Sequence, residues 1–309
     1  MKINGKNIHN NITAYLFLAP FLIVFSLFLA YPVIYSLVLS LHKVSWTTNL
    51  YNIFSDMKFV GFDNYIKLFH DSRFWWSLIV TGYYGILTIP LTVFLGLILA
   101  ILLNNKLPGV SLFRSAYFLP SVLDILVVGI IWTLIYSPHF GILPKILDSL
   151  GFSAFMDKGI LANPRTALPG VAIAMVLRGA GFGMILFLSA IQNIPVSVYE
   201  AAEIDGANAW QKLIYITIPL VKPIILFLVI MGTIGSLNAF TEIYSMTQGG
   251  PYVVEFMGNI QGATRVSGYY LFEKWETMEY GYAAAVSYVL LFITLGISLV
   301  NAKMMRKKN

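Results

Sequence analysis

The sequence contains no cysteine among its 309 residues. This absence excludes a disulfide framework, a thiol nucleophile and a metal site built on thiolates. Charge is also scarce, because Asp, Glu, Lys and Arg together make up only 11% of the chain, against about 25% in an ordinary soluble domain. With 58% hydrophobic residues, the composition predicts a polytopic membrane protein rather than a soluble globular one.

Sequence motifs for catalysis and for nucleotide binding are missing as well. The four histidines are far apart, and none of them belongs to an HExxH arrangement of zinc ligands. No GxSxG sequence marks a serine nucleophile, and no GxxxxGK[ST] loop is present to bind ATP. An intramembrane enzyme is therefore a remote alternative, and we expect this chain to bind no cofactor itself.

Six apolar segments are long enough to cross about 30 Å of hydrocarbon, which takes about 20 residues per helix. Several of them contain proline, which a membrane bundle tolerates because neighbouring helices and water satisfy the freed carbonyls. We predict an all-α polytopic membrane protein, with one transmembrane domain over residues 1–309 and six transmembrane helices. Their approximate limits are 13–41, 74–103, 112–136, 168–193, 219–246 and 280–303.

The distribution of Lys and Arg orients these predicted spans. Six spans put both termini on one side, and the segments on that side are short and basic, which is typical of cytoplasmic segments. Both termini and the loop 194–218 are therefore predicted to be cytoplasmic, and three longer loops to lie outside. The basic C-terminus is expected to face anionic lipid rather than nucleic acid. Its charged residues are Lys303, Arg306, Lys307 and Lys308.

The loop between the fourth and fifth predicted spans is a polar island in an apolar chain. Residues 195–218 predict two short helices, because Pro195 suits a first helical turn and Gly206 suits a left-handed C-terminal cap. Asn208, followed three residues later by Gln211, predicts a capping box for the second helix. The loop is therefore expected to be ordered.

The first of these helices carries acidic residues on one face. Glu200 and Glu203 are three residues apart, so they share that face, and Ala201 and Ala202 keep the helix thin. Helices that lie on a membrane favour Lys and Arg on their polar face. An acidic, thin helix predicts docking against a basic cleft of a partner protein instead.

This loop resembles the EAA motif of permease subunits in binding-protein-dependent ABC importers. The likeness is carried by Glu200-Ala201-Ala202, three intervening residues and Gly206, followed by Pro219. Other segments resemble the carbohydrate-uptake branch, whose members include the maltose and glycerol-phosphate permeases. These segments are Ile194-Pro195, Asp205–Ala207, Gly61–Tyr65, Phe140–Leu143, Thr247–Pro251 and Gly281–Ala285.

The resemblance implies a type I importer fold in the bacterial cytoplasmic membrane. Two permeases, usually different chains, would form the pathway, and an extracellular binding protein would deliver the sugar. Each permease would be a non-catalytic subunit whose coupling helix sits on an ATPase dimer, and ATP and Mg²⁺ would be bound by that dimer. The coupling residues implied here are Glu200, Ala201, Ala202, Asp205 and Gly206.

Charged residues inside the predicted spans are candidates for the transport pathway, because each costs about 2.5–3.5 kcal/mol to insert at a helix centre. Asp124, Arg178 and Glu242 fit this description. The resemblance adds positions that contact sugar in maltose-type permeases. The added and neighbouring pathway residues are Tyr117, Ser121, Gly179, Gly232, Ser236 and Asn238.

Alternatives remain open for the charges and for the substrate. Asp124 and Arg178 either neutralise each other or line a polar groove, and an arginine facing the pathway suits a carboxylated sugar. A phosphorylated polyol such as glycerol phosphate is the alternative to an oligosaccharide. A secondary transporter working alone is disfavoured, since no internal repeat is visible. The pattern Gly179-Ala-Gly181-Phe-Gly183 predicts close helix packing.

Overall fold

The computed structural model describes residues 5–44, 48–49, 56–105, 108–153, 155 and 159–306. Lys307 and Lys308, which were used to orient the chain, lie outside the described residues. Helices dominate the structure. Its contacts define two compact units, which are described in turn. The first contains the described residues up to His70 and Glu273–Val289, and the second contains Asp71–Phe272 and the described residues from Leu290.

The N-terminal part of the first unit is a long apolar helix followed by a small polar cap. Helix α1 (Gly5–Phe25) passes through a π-helical turn (Ser26–Ala30) into α2 (Tyr31–Ser40). The cap is made by the antiparallel strands β1 (His42–Lys43) and β2 (Lys58–Phe59) and by α3 (Asp63–His70).

Two of the segments that resemble the carbohydrate-uptake branch meet the end of α2 in this unit. Asn64 Nδ2 donates to the carbonyl oxygens of Ser40 (2.8 Å) and His42 (3.1 Å). A Cβ atom at Gly281 would overlap the carbonyl oxygen of His42, so only glycine permits this approach of the last helix. The two segments therefore act together in closing one end of the unit.

Glu279 joins α3 to the start of the last helix through two ion pairs. Its Oε2 atom is 2.8 Å from Lys67 Nζ, and its Oε1 atom is 2.9 Å from Lys274 Nζ. Both ammonium groups also lie over the ring of Tyr282. Burial opposes ionisation of the Glu279 carboxyl, but the hydrogen bonds from the two lysines outweigh it and hold the pKa of Glu279 below its ordinary value.

This lowered pKa predicts a dependence of stability on pH. A carboxyl with a lowered pKa in the folded state stabilises the protein above the unfolded value of about 4.3, and the contribution is lost as the pH falls through the folded value. We expect Glu279→Gln to lower the melting temperature by a few degrees at pH 7 and by progressively less below about pH 4.3. Thermal melts followed by tryptophan fluorescence test this.

The control for that experiment is Glu276→Gln, which removes an exposed carboxylate three residues before Glu279. Its effect on the melting temperature is expected to be small and independent of pH. A deficit in Glu279→Gln that stays constant from pH 7 to pH 3.5 would contradict the assignment of the ion pairs.

The second unit is a bundle around one central helix. Its helices are α4 (Ser72–Leu103), α5 (Val110–Val122), α6 (Ile125–Tyr136), α7 (Ile142–Ser149), α8 (Ala167–Gln192), α9 (Val196–Ile204), α10 (Ala209–Lys212), α11 (Ile218–Leu237) and α12 (Thr241–Met246). The strands β3 (Tyr252–Phe256) and β4 (Asn259–Gly262) form an antiparallel hairpin. Two further helices follow, α13 (Ser267–Glu276) and α14 (Tyr280–Arg306), and each has residues in both units.

Helix α8 is the centre of this bundle, and more than half of its apolar length is buried. Gly183 lies against Gly96 of α4, and a Cβ atom at Gly181 would overlap the carbonyl oxygen of Tyr117 in α5. Glycine at these positions lets neighbouring backbones touch, as in other membrane helix pairs. A Cβ atom at Gly179 would lie 3.2 Å from Thr92 Cγ2 of α4, so the close packing predicted from Gly179, Gly181 and Gly183 is confirmed for all three.

The third and fifth predicted spans are each interrupted in the structure. The predicted span 112–136 consists of α5 and α6, which meet at 104°, and the predicted span 219–246 stops at Leu237 and resumes at Thr241. Five described helices are long and apolar enough to cross a membrane, or six if α5 and α6 count as one span. The structure also contains two short antiparallel strand pairs, β1–β2 and β3–β4, which the all-α prediction did not include.

Local hydrogen bonds explain both breaks. Asp124 has an extended backbone, and its side chain accepts from the amide of Leu126 at 2.8 Å, which starts α6 afresh. Asn238 Nδ2 donates at 2.8 Å to the carbonyl oxygen of Ile234, which also accepts from the Asn238 amide at 3.2 Å, so the Asn238 side chain folds back onto the last turn of α11. Short polar side chains of this kind compete with the helical hydrogen-bond ladder.

Candidate functional site

A cavity of about 550 Å³ lies in the second unit, between α4, α8, α11 and the two helix breaks. It gathers most of the pathway residues predicted from the sequence, although they are spread over more than a hundred positions. All but Tyr117 and Asp124 line it. The predicted residues in the lining are Ser121, Arg178, Gly179, Gly232, Ser236, Asn238 and Glu242.

Both helix breaks open onto this cavity. Ser121 and Ile125 flank the first break, and residues 238–241 form the second. A helix end leaves backbone carbonyl and amide groups without helical partners. At membrane depth such backbone is tolerated only where it is buried in protein or lines a cavity. The breaks therefore supply polar groups where a continuous helix would present only side chains.

Arg178 stabilises the first helix break, between α5 and α6. Its guanidinium donates from Nε and Nη2 to the carbonyl oxygen of Leu123, at 3.3 and 2.9 Å, and from Nη2 to that of Ser121 at 3.4 Å. These carbonyls belong to the end of α5, where the chain turns. Arg178 thus caps α5 from the neighbouring helix α8, while Asp124 caps α6.

The predicted alternative in which Asp124 and Arg178 neutralise each other is wrong. Asp124 accepts from the Leu126 amide, and Arg178 donates to carbonyl oxygens. Both side chains belong to the described part of the chain, and no ion pair joins them there. Instead, Arg178 caps the end of α5, and Asp124 caps the start of α6.

Glu242 places a carboxylate in the wall of the cavity. Only 8% of the residue is exposed, and Tyr84 Oη donates to its Oε1 atom at 2.9 Å. Among the described residues, Glu242 takes part in no ion pair. A buried carboxylate without a cation is costly and marks a functional candidate.

Tyr117 does not take the position that the sequence suggested for it. Its side chain is 46% exposed and is not part of the cavity lining. Its backbone carbonyl lies against Gly181. In this structure Tyr117 therefore contributes to the packing of α5 on α8, and its ring is not placed to stack on a ligand in the cavity.

Three cavity residues on α4 escaped the sequence analysis. Tyr84, Thr88 and Thr92 line one wall, and Thr88 Oγ1 also donates to the carbonyl oxygen of Tyr84 at 2.8 Å. Residues four apart lie on one face of a helix. A tyrosine and two threonines at this spacing in a largely apolar helix are the sequence signal for this polar face.

The loop 195–218 has the local structure predicted for it. Helix α9 ends at Ile204 and is followed by Gly206, whose φ of 76° is left-handed. The amides of Gly206 and Ala207 donate to the carbonyls of Glu203 and Ala202. The Asn208 side chain accepts from the Gln211 amide at 2.9 Å, and Gln211 Oε1 accepts from the Asn208 amide at 2.7 Å. This is the predicted capping box.

The outer surface of this loop combines acidic and large apolar residues. Glu200 and Asp205 are exposed, as are Ile204 at 87% and Trp210 at 72%. Glu203 has a different role, because a hydrogen bond from Lys212, 2.7 Å away, lowers the pKa of Glu203 and joins α9 to α10. Exposed apolar side chains beside carboxylates are suited to a protein partner with a basic, partly apolar groove.

Comparison with known proteins agrees with this architecture. Residues 92–303 match the family described as binding-protein-dependent transport system inner membrane component. The lactose transport system permease protein LacF of Rhizobium radiobacter is 34% identical over 293 residues, covering 94% of this chain and 93% of the relative. The trehalose/maltose transport system permease protein MalF of Thermococcus litoralis is 31% identical over 292 residues, with 94% and 93% covered.

A solved structure shares the fold. A chain of the bacterial alginate ABC transporter, crystallised with an alginate pentasaccharide-bound periplasmic protein, superposes with a TM-score of 0.79 at 23% identity, covering 98% of this chain and 96% of that one. At this identity the likeness concerns the fold alone. From the family match and the curated relatives, we conclude that the chain belongs to the inner membrane components of binding-protein-dependent transport systems and is similar to their carbohydrate permeases.

Proposed function

We propose that this chain is a transmembrane subunit of an ATP-driven importer for a sugar or oligosaccharide. It forms the pathway together with a second permease, and an extracellular binding protein delivers the substrate. The observation that carries the proposal is the cavity between the two helix breaks. The names of relatives support the substrate class, since they include permeases for lactose, trehalose/maltose and arabinooligosaccharides.

The chemistry of the cavity suits a sugar better than an inorganic ion. Thr88, Thr92 and Ser236 provide hydroxyl groups, and Asn238 provides an amide, so the wall both donates and accepts hydrogen bonds. Apolar side chains such as Met231 complete the lining. A volume of about 550 Å³ lies within the usual range for small-molecule sites, about 300–1,000 Å³.

The loop 195–218 is the proposed coupling element. Its exposed residues Glu200, Ile204 and Trp210 would dock on a partner ATPase dimer, which binds ATP and Mg²⁺, while this chain is non-catalytic and binds no cofactor. The loop and both termini are then cytoplasmic, and the protein is a multi-pass subunit of the bacterial cytoplasmic membrane. ATP-driven closure of the ATPase would move the loop as a rigid element.

Purification of the tagged chain from its native membrane tests this proposal. We expect an ATPase and a second permease to co-purify, and the complex, reconstituted in liposomes with its binding protein, to take up labelled saccharide only when ATP is present. A glycerol phosphate competitor is expected to leave uptake unchanged. Uptake by this chain alone without ATP, or uptake of the phosphorylated polyol instead, would overturn the proposal.

A further inference from the structure

We propose that Glu242 makes the cavity select neutral, hydroxyl-rich saccharides and reject acidic ones. This inference rests on the proposed function and names the substrate class for the same cavity. Its basis is that the two opposite charges in the lining make different contacts with the rest of the protein. Of the described residues that line the cavity, only Arg178 and Glu242 carry a formal charge.

The guanidinium of Arg178 is held in position by the protein backbone. Two of the nitrogen atoms of Arg178 donate to the carbonyl oxygens of Leu123 and Ser121. These bonds cap the end of α5 and hold the guanidinium at the helix break, while its charge stays in the wall of the cavity. Arg178 therefore acts first as a positioning residue for the break, and its presence in the wall does not by itself favour an acidic ligand.

The Glu242 carboxylate keeps acceptor sites that a ligand can use. Tyr84 provides one hydrogen bond to Glu242, whereas an ionised carboxylate offers about four acceptor sites. Helix α12 places this residue at the wall of the cavity, and in the described part of the chain no cation pairs with it. The remaining acceptor sites of the carboxylate are suited to hydroxyl donors on a ligand.

Neutral saccharides and uronates are expected to interact differently with the Glu242 carboxylate. A neutral saccharide presents many hydroxyl groups, and each can donate to an ionised carboxylate in a charge-assisted hydrogen bond. A uronate brings a second carboxylate into the same cavity, where the low dielectric strengthens like-charge repulsion. The carboxylated sugar that the sequence left open, on the strength of Arg178, is therefore disfavoured.

The experiment measures saccharide binding to the purified transporter complex without its binding protein, so that only the permease cavity selects. Equilibrium dialysis is carried out with labelled trisaccharides of neutral hexoses or pentoses and with hexuronate trisaccharides of equal length. We expect the wild-type complex to bind at least one neutral trisaccharide about tenfold more tightly than its uronate counterpart. In Glu242→Gln this ratio is expected to fall to about one or to invert.

Three further variants separate selectivity from structural damage. Glu255→Gln removes an exposed carboxylate from β3, outside the cavity, and should leave the ratio unchanged. Tyr84→Phe keeps the Glu242 carboxylate and should keep the neutral preference. Glu242→Asp also keeps the charge and should keep the preference even if overall affinity falls, which maintains the test if Glu242→Gln does not fold.

The possible failures are distinguishable. Tighter binding of uronates by the wild type, or an unchanged ratio in Glu242→Gln, overturns the role of Glu242 and leaves the sugar importer intact. Binding of neither class by a complex that still hydrolyses ATP counts against both the inference and the proposed sugar pathway.

Discussion

Replacing Gly206 with proline is expected to abolish uptake while the protein is still inserted in the membrane. Gly206 has a φ of 76°, and its amide donates to the carbonyl oxygen of Glu203 at 3.0 Å. Proline fixes φ near −65° and has no amide hydrogen, at a cost of about 3 kcal/mol or more. That cost corresponds to about a hundredfold loss of the native loop conformation, and we expect uptake to fall by a similar factor.

The test compares ATP hydrolysis with saccharide uptake in proteoliposomes that contain equal amounts of complex. Gly151→Pro is the matched control, because Gly151 also has a positive φ, 91°, and its amide donates to the carbonyl of Asp148 at 2.9 Å. It lies after α7, far from α9 in the sequence, and its substitution should leave coupling intact. Equal losses in both variants would show that proline strain, rather than the loop 195–218, is responsible.

Glu200→Lys examines the same loop without changing its backbone. Glu200 is exposed, so the substitution reverses a surface charge and removes no internal contact of the described residues. If the partner groove is basic, repulsion lowers uptake and leaves ATP hydrolysis uncoupled from it. Wild-type uptake in both Glu200→Lys and Gly206→Pro would reject the coupling role of this loop.

The second large effect is expected on stability, from Gly181→Ala. The added methyl group would overlap the carbonyl oxygen of Tyr117, and a backbone atom cannot rotate away as a side chain can. Helices α5 and α8 must then separate, which costs about 1–3 kcal/mol for overpacking and disturbs the wall of the cavity as well. We expect a lower melting temperature and a lower yield of monodisperse complex in detergent.

Gly296→Ala provides the comparison for that variant. Gly296 is also within a membrane-length helix, α14, but a Cβ atom there would have no heavy atom within 4 Å. Its melting temperature should equal or slightly exceed that of the wild type, because alanine is the better helix former. If Gly181→Ala melts at the temperature of Gly296→Ala, the close contact between α5 and α8 is not present in the protein.

Features that depend on local sequence were predictable. Long apolar segments gave four of the continuous spans within a few residues, and the capping residues Gly206, Asn208 and Gln211 gave the helices of the loop 195–218. These elements are determined by hydrogen bonds between residues close in sequence, or by the length of an apolar run. One chain therefore contains all the information that is needed for them.

Features that depend on distant partners were not predictable in the same way. Hydropathy cannot distinguish a straight span from two helices that meet at 104°, since both are apolar throughout. The break between α5 and α6 is held by Arg178, which is distant in sequence from the carbonyls that it caps. Charge inside a span did identify Arg178 and Glu242 as candidates, but their different tasks depend on contacts with Leu123 and Tyr84.

Helix α8 has a mechanical consequence for the proposed importer. It carries Arg178 at the cavity and ends at Gln192, just before α9 begins at Val196, and the stretch between Arg178 and Gln192 is about 20 Å long at 1.5 Å per residue. Because this helix is packed on several sides, it should move as a rigid lever. A tilt of about 10° around Arg178 would move the end of the helix at Gln192 by about 3–4 Å. A small rearrangement at the cavity would therefore produce a larger displacement next to α9.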